Sequence, residues 1–244
     1  MGMRGRVRDQ NGASATQPPE GEWWWPVVGA LLLAQFAVTA IIKFNKGLGD
    51  DVLWMSHMSL VIAGAGLIMR RPWLVAAALT GILFTHSLWL FDLTAWLLGF
   101  GFPLRISHYM EGASLSTWVS TGHHLYVLPF LLWIVLRRGR YPWGALPAIM
   151  LIFVALTAMS YWFTDPARNV NRVHGIEPDF GFPPFIWANE LREDAPNGLR
   201  GNAVYLLALN ALSAAILFIP MAALLHILTV LIHRRSGRGR KERA

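Results

Sequence analysis

Five ionisable side chains, His57, His86, Asp92, His123 and His124, stand inside long apolar stretches of this 244-residue chain. On insertion scales an Asp, Lys or Arg at the middle of a bilayer costs about 2.5–3.5 kcal/mol, so ionisable groups placed there imply a task. Serines lie beside the first histidine, at Ser56 and Ser59. A hydroxyl within reach of an imidazole is the minimum set for acyl chemistry: the ring takes the proton and the oxygen attacks an ester or thioester carbonyl. A carboxylate such as Asp92 would fix the tautomer of that ring. The chain has no cysteine, which removes thiolate nucleophiles, zinc–thiolate sites, iron–sulfur clusters and disulfides together. It also has no Gly-x-Ser-x-Gly elbow, so the familiar soluble-hydrolase scaffold is absent.

Helical spacing groups these residues further. Ser116, Ser120 and His124 repeat at i, i+4 and i+8, with Thr117 and Thr121 flanking the same stripe. Ser56 and Ser59 share a face, and His57 lies about 100° round the helix from Ser56. Thr85, Asp92 and Trp96 share a face of their own segment. Expected catalytic groups are therefore Ser56 or Ser59 as nucleophile, His124 or His123 as base, and Asp92 as orienting carboxylate. His57, His86, Thr85, Ser120 and Thr121 are expected to line the substrate site, and a resemblance described below adds Asn171. A single intramembrane histidine is commonly a packing hydrogen bond; an adjacent pair beneath a hydroxyl stripe is the stronger signal.

The elements that must position them are membrane spans. Hydrophobic residues make up 55% of the chain and charged ones 14%, where a soluble domain carries about 25% charged residues. Six stretches, 24–44, 52–69, 73–98, 117–136, 143–163 and 202–232, approach or exceed the roughly 20 apolar residues of a bilayer span. The expected fold is an all-α, six-span bundle over 23–233. It is flanked by a disordered polar tail over 1–22 and a basic tail over 234–244, with long loops at 99–116 and 164–201. No cleavable leader is expected, because 22 polar residues precede the first span. The aromatic stretch 180–187 reads as a cap on the membrane surface.

Charge sets the orientation. The formal charge is +7 and the pI near 10.4, a balance that elsewhere points to nucleic acid. Here 14 Lys and Arg fall on the side of both termini and 7 on the other, four of those seven in one long loop. Both termini are therefore expected in the cytoplasm, with the basic runs set against anionic headgroups and no nucleic-acid partner. The reading is a multi-pass inner-membrane protein of bacterial type whose partners are membrane lipids. On this topology Ser56, His57 and Ser59 lie about 6–11 Å below the outer edge, Asp92 about 9 Å and His123–His124 about 9–11 Å, with His86 one to two turns deeper than Asp92. A small-residue run at 63–66 permits close helix approach, and Pro129 kinks the fourth span below the histidines. The expected site is a polar cavity open to the outer leaflet, needing no cofactor for acyl chemistry. The same histidines admit other readings: b-type haem between two of them, a divalent metal held with Asp92, or a non-catalytic transporter or accessory subunit.

One stretch carries a resemblance. Gly122-His123-His124-Leu125-Tyr126-Val127-Leu128-Pro129-Phe130, followed by Arg140-Tyr141-Pro142, resembles the fourth-span signature of the androgen-induced-protein family of integral-membrane lipid hydrolases. The resemblance implies a Thr/His catalytic pair, with His124 as the histidine and Ser56 near the threonine position. A related pattern, His57-Met58-Ser59, is similar to the His-Leu-Cys motif of the transmembrane-protein-164 acyltransferase family, which would make Ser59 the nucleophile. Asn169-Val170-Asn171 is similar to an Asn-containing segment of that family's bacterial relatives. The likeness covers spans two to five, and the family threonine and cysteine are both replaced by serine.

Overall fold

The computed structural model describes residues 23–175 and 199–241, and within them every regular element is helical. Helix α1 spans Trp25–Asn45, with Pro26 where a helix tolerates proline, in its first turn. Its last carbonyls accept the Lys46 N–H, and Gly47 then turns the chain with φ +67. A 3-10 turn over Gly49–Leu53 leads into α2, Met55–Ile68. Helix α3 spans Pro72–Leu97, α4 Leu115–Thr121, α5 His123–Leu136 and α6 Ala145–Phe163. After two 3-10 turns, Pro166–Arg168 and Val170–Arg172, the described chain resumes with α7, Leu199–Leu212. A π-helical stretch, Ser213–Phe218, joins it to α8, Ile219–Lys241.

Among the described residues, five segments are long and apolar enough to cross a membrane: Trp25–Asn45, Pro72–Leu97, Leu115–Leu136, Ala145–Phe163 and Asn202–Arg234. The expected second span differs. Its first residues form the 3-10 turn, and extended backbone at Trp54 (φ −54, ψ 136) separates that turn from a helix of 14 residues. At about 1.5 Å per residue α2 rises about 21 Å, short of the roughly 30 Å hydrocarbon core. The turn is held by an ion pair, Lys43 Nζ to Asp51 Oδ2 at 2.9 Å, that an unbroken helix would not form. The fourth span is also broken. Gly122 separates α4 from α5, and a Cβ at that position would stand 2.7 Å from the Trp118 carbonyl oxygen. The basic stretch after residue 233 continues α8 as helix to Lys241. Residues 1–22, the 180–187 stretch and most of the 164–201 loop lie outside the described residues.

Helix α2 is wedged between α1 and α3, with Leu60, Ala63 and Leu67 fully buried. The small-residue run makes this possible. A Cβ on Gly29 would lie 2.6 Å from the Gly64 carbonyl oxygen, and one on Gly64 2.9 Å from that of Gly29. Outward faces stay apolar: Leu31, Leu151 and Leu207 are 62%, 71% and 71% exposed, as expected of helices facing lipid rather than water. One end of the bundle carries the 47–55 turn, the 99–114 loop and the 165–175 segment. The other carries Arg70, Arg71, Arg137, Arg138, Arg140 and Arg234.

Candidate histidine centre

Four histidines from three parts of the chain meet near the loop-bearing end. His57 comes from the first turn of α2, His86 from the middle of α3, and His123 and His124 open α5. The His86 and His124 rings stack at 4.3 Å between centroids, His123 and His124 lie 4.2 Å apart, and His57 lies 5.2 Å from His123. One ring nitrogen from each of His86, His123 and His124 falls within 4.8 Å of the other two. His123 and His124 are consecutive, yet both rings reach this centre, His123 toward His57 and His124 toward His86 and Trp89.

Backbone carbonyls set the tautomers. Nδ1 of His57 contacts the Asp51 carbonyl oxygen at 2.7 Å, Nδ1 of His123 that of Ser120 at 3.0 Å, and Nδ1 of His124 that of Thr121 at 2.8 Å. A carbonyl oxygen only accepts, so each of these Nδ1 atoms carries a proton, and in the neutral ring each Nε2 keeps its lone pair. Nε2 of His86 and Nε2 of His123 are buried and have no hydrogen-bond partner among the described residues. Leaving such a group unsatisfied costs about 1–3 kcal/mol, so two of them beside further lone pairs are an expensive arrangement for packing alone. His86 and His123 are 1% and 0% exposed, while His57 and His124 keep 5% and 8%. The open edge of the centre is therefore the His57–His124 side.

Its surroundings come from elements that the spacing left unassigned. Trp89 packs against His124 at 4.7 Å and donates its indole N–H to the Tyr109 hydroxyl at 3.0 Å, tying the 99–114 loop over the centre. Trp89 sits three residues beyond His86, a spacing that could have marked it as a same-face neighbour. The use of the Asp51 carbonyl by His57 has no signature in sequence. From α1, Thr39 donates to the Ser120 carbonyl at 3.2 Å and Gln35 to that of Val119 at 2.9 Å, bracing α4.

Several expected site residues take other work. Asp92 faces the 99–114 loop: it accepts the Leu104 N–H at 2.7 Å, the Ser107 N–H at 2.8 Å and the Ser107 hydroxyl at 2.9 Å. A carboxylate so engaged anchors a loop, and among the described residues it makes no hydrogen bond to a histidine. Ser59 donates its hydroxyl to the Ser56 carbonyl at 2.6 Å. No hydrogen bond joins Ser56 or Ser59 to a histidine among the described residues. Thr85 is exposed and turns back to the Ile82 carbonyl at 3.3 Å. Ser120 and Thr121 hold the histidines through their carbonyls, and the Ser120 hydroxyl bonds Thr117 of its own helix at 3.0 Å. Asn171 is buried and bonds the backbone at the start of α2.

Chemically, three convergent neutral imidazoles suit a borderline transition metal. Zinc–histidine bonds run to about 2.0–2.1 Å, which places tetrahedral ligand nitrogens roughly 3.4 Å apart. The three ring nitrogens fall within 4.8 Å of one another, so a bound ion would have to draw them closer. A haem does not fit between His86 and His124, which stack with ring planes 20° apart and leave no slot for a macrocycle. The chain matches no protein-family model, no curated protein and no solved structure, so what this centre does has to be argued from its own geometry.

Proposed function

We propose that the protein is a six-span integral membrane protein, with both termini in the cytoplasm, that binds one divalent transition-metal ion through His86, His123 and His124. The observation that carries the metal reading is the convergence of one ring nitrogen from each of His86, His123 and His124 within 4.8 Å, with Nε2 of His86 and His123 buried without a partner among the described residues and Nδ1 of His123 and His124 held by carbonyls. Such outer contacts are the usual means of orienting metal-binding histidines. An all-imidazole donor set favours zinc, copper, nickel or iron over magnesium and calcium. Three protein nitrogens leave room for a further donor at the open edge beside His57. The arginine distribution supports the topology, and the short α2 then crosses with help from its preceding turn.

The test is metal titration of the full chain, stripped with chelator and held in detergent or nanodiscs. One Zn2+ per chain is expected, resistant to Mg2+ competition, and His123→Ala should weaken it at least about 100-fold. Absence of stoichiometric binding, or binding unaffected by His123→Ala, would overturn the reading.

A second reading keeps lipid acyl hydrolysis or acyl transfer. It is favoured by the Ser56 hydroxyl, which has no hydrogen-bond partner among the described residues, and by the resemblance around His124. Ser56 Oγ would attack the acyl carbonyl, with His124 as base. A lipophilic fluorophosphonate should then label the protein in the presence of chelator and fail on both Ser56→Ala and His124→Ala; no labelling of the native chain counts against it.

A further inference from the structure

The 165–172 segment lies across the turn that presents His57. The Asp165 N–H donates to Asp50 Oδ2 at 2.7 Å, and Arg168 Nη2 to the Gly47 carbonyl at 3.0 Å. The Arg172 guanidinium stands 5.8 Å over the Trp54 ring. At the centre of these contacts is Asn171, 5% exposed and held at φ +53. Its Oδ1 accepts the Met55 N–H at 3.1 Å, and its Nδ2 donates to the Leu53 carbonyl at 2.8 Å and to Ser160 Oγ of α6 at 3.0 Å.

This amide does for α2 what the local sequence does not. The residue before the helix is Trp54, which offers no side-chain cap, although the first N–H groups of a helix need acceptors. Asn171, 116 residues away, supplies one to Met55. The same turn provides the Asp51 carbonyl that holds the His57 ring. Left-handed backbone at a non-glycine residue costs of order 1–3 kcal/mol and persists where the surroundings over-determine it. Here the compensating contacts lead to the one histidine on the open edge that belongs to neither α3 nor α5.

Resting on the metal reading above, we propose that His57 is the fourth nitrogen donor of the loaded centre and that Asn171 is its positioning residue. Nδ1 of His57 is occupied by Asp51, so its Nε2 is the donor, approaching from the edge that the other three leave open. Closing the last gap takes rotation of a ring whose backbone must stay fixed. Asn171 fixes it by holding the N–H that starts α2 and the carbonyl just before it.

The experiment is a double-mutant cycle on the full chain in nanodiscs, with Zn2+ affinity from chelator competition and ligand geometry from the visible bands of the Co2+ form. Asn171→Ala and His57→Ala should each weaken Zn2+ binding about 10-fold and change the Co2+ bands in the same way. The double variant should be no worse than His57→Ala alone, because Asn171 acts through His57. Asn171→Asp retains the acceptor for Met55 and should fall between native and Asn171→Ala; it replaces the alanine variant if that one does not fold. A merely structural amide gives losses that multiply in the double variant and leaves the Co2+ bands native, which overturns the proposal. Native binding that is unchanged in Asn171→Ala overturns it while sparing the three-histidine site. No binding by the native chain removes both.

Discussion

The two ends of the bundle treat polar groups in opposite ways. At the loop-bearing end four buried imidazoles cluster. Nδ1 of His57, His123 and His124 each holds a backbone carbonyl, and Nε2 of His86 and of His123 has no partner among the described residues. The nearby Asp92 carboxylate is satisfied by loop amides. At the other end they are guanidinium groups packed on aromatic faces: Arg137 lies 4.7 Å over Trp133 and Arg138 5.2 Å over Trp25. No Asp or Glu stands at that end among the described residues. A permanent charge in an apolar bundle goes to the rim, where its head meets water and headgroups and its stem lies on tryptophan. A neutral imidazole pays only for a missing hydrogen bond, so it can be placed deep. Depth therefore suits a neutral ring better than a guanidinium, and a divalent ion bound there would bring a charge that the imidazole lone pairs stabilise directly.

The sharpest way to break this contrast is at His86. Replacing it with Leu should abolish stoichiometric metal binding, a loss of at least about 100-fold, and should raise the thermal stability of the metal-free protein by about 1–3 kcal/mol as an unsatisfied buried nitrogen disappears. A fall in metal-free stability would mean the cluster is packing. Asp92→Asn comes next. It loses charge-assisted bonds to the 99–114 loop and should destabilise by about 2 kcal/mol, read by thermal unfolding, while metal affinity moves less than about threefold. Gly122→Ala should cost about 1–3 kcal/mol through overpacking against the Trp118 carbonyl, and should lower metal affinity because it shifts both histidines of α5.

The arginine end should give smaller responses. Burial pushes the Tyr141 phenol above its ordinary pKa, with its hydrogen bond to Thr80 at 2.8 Å partly offsetting the rise. A raised folded value means its contribution to stability is complete below the ordinary phenol range. That contribution is lost as pH climbs through the raised value. Tyr141→Phe should flatten this alkaline limb in a pH series of melting temperatures. Arg137→Gln should be the weakest change, about 0.5–1 kcal/mol from the lost cation–π contact, with metal binding untouched.

Much of the site was legible in sequence as depth. Placing His57, His86 and the His123–His124 pair at neighbouring depths needed only span boundaries and 1.5 Å per residue, and these four rings do meet. What stayed hidden was the direction of each polar atom. Ser59 is the natural hydroxyl beside His57 in sequence, yet its own helix offers a carbonyl one turn back, and the hydroxyl takes it. Asp92 shares the depth of the histidines, but the amides of a loop more than ten residues away compete for it and win. The fourth span reads as one apolar run because hydropathy does not register the turn at Gly122 that divides α4 from α5.

Composition and charge, by themselves, determined that this is a chain of long apolar helices with its arginines gathered at one end. Those properties are sums over residues, and no tertiary contact alters them. Only the tertiary structure decided that four histidine rings meet while the Ser59 hydroxyl and the Asp92 carboxylate bond elsewhere. Hydrogen-bond partners are chosen by competition between backbone and side chains brought together from α1, α3, the α4–α5 break and the strap at Asn171. That competition exists only once those elements have packed.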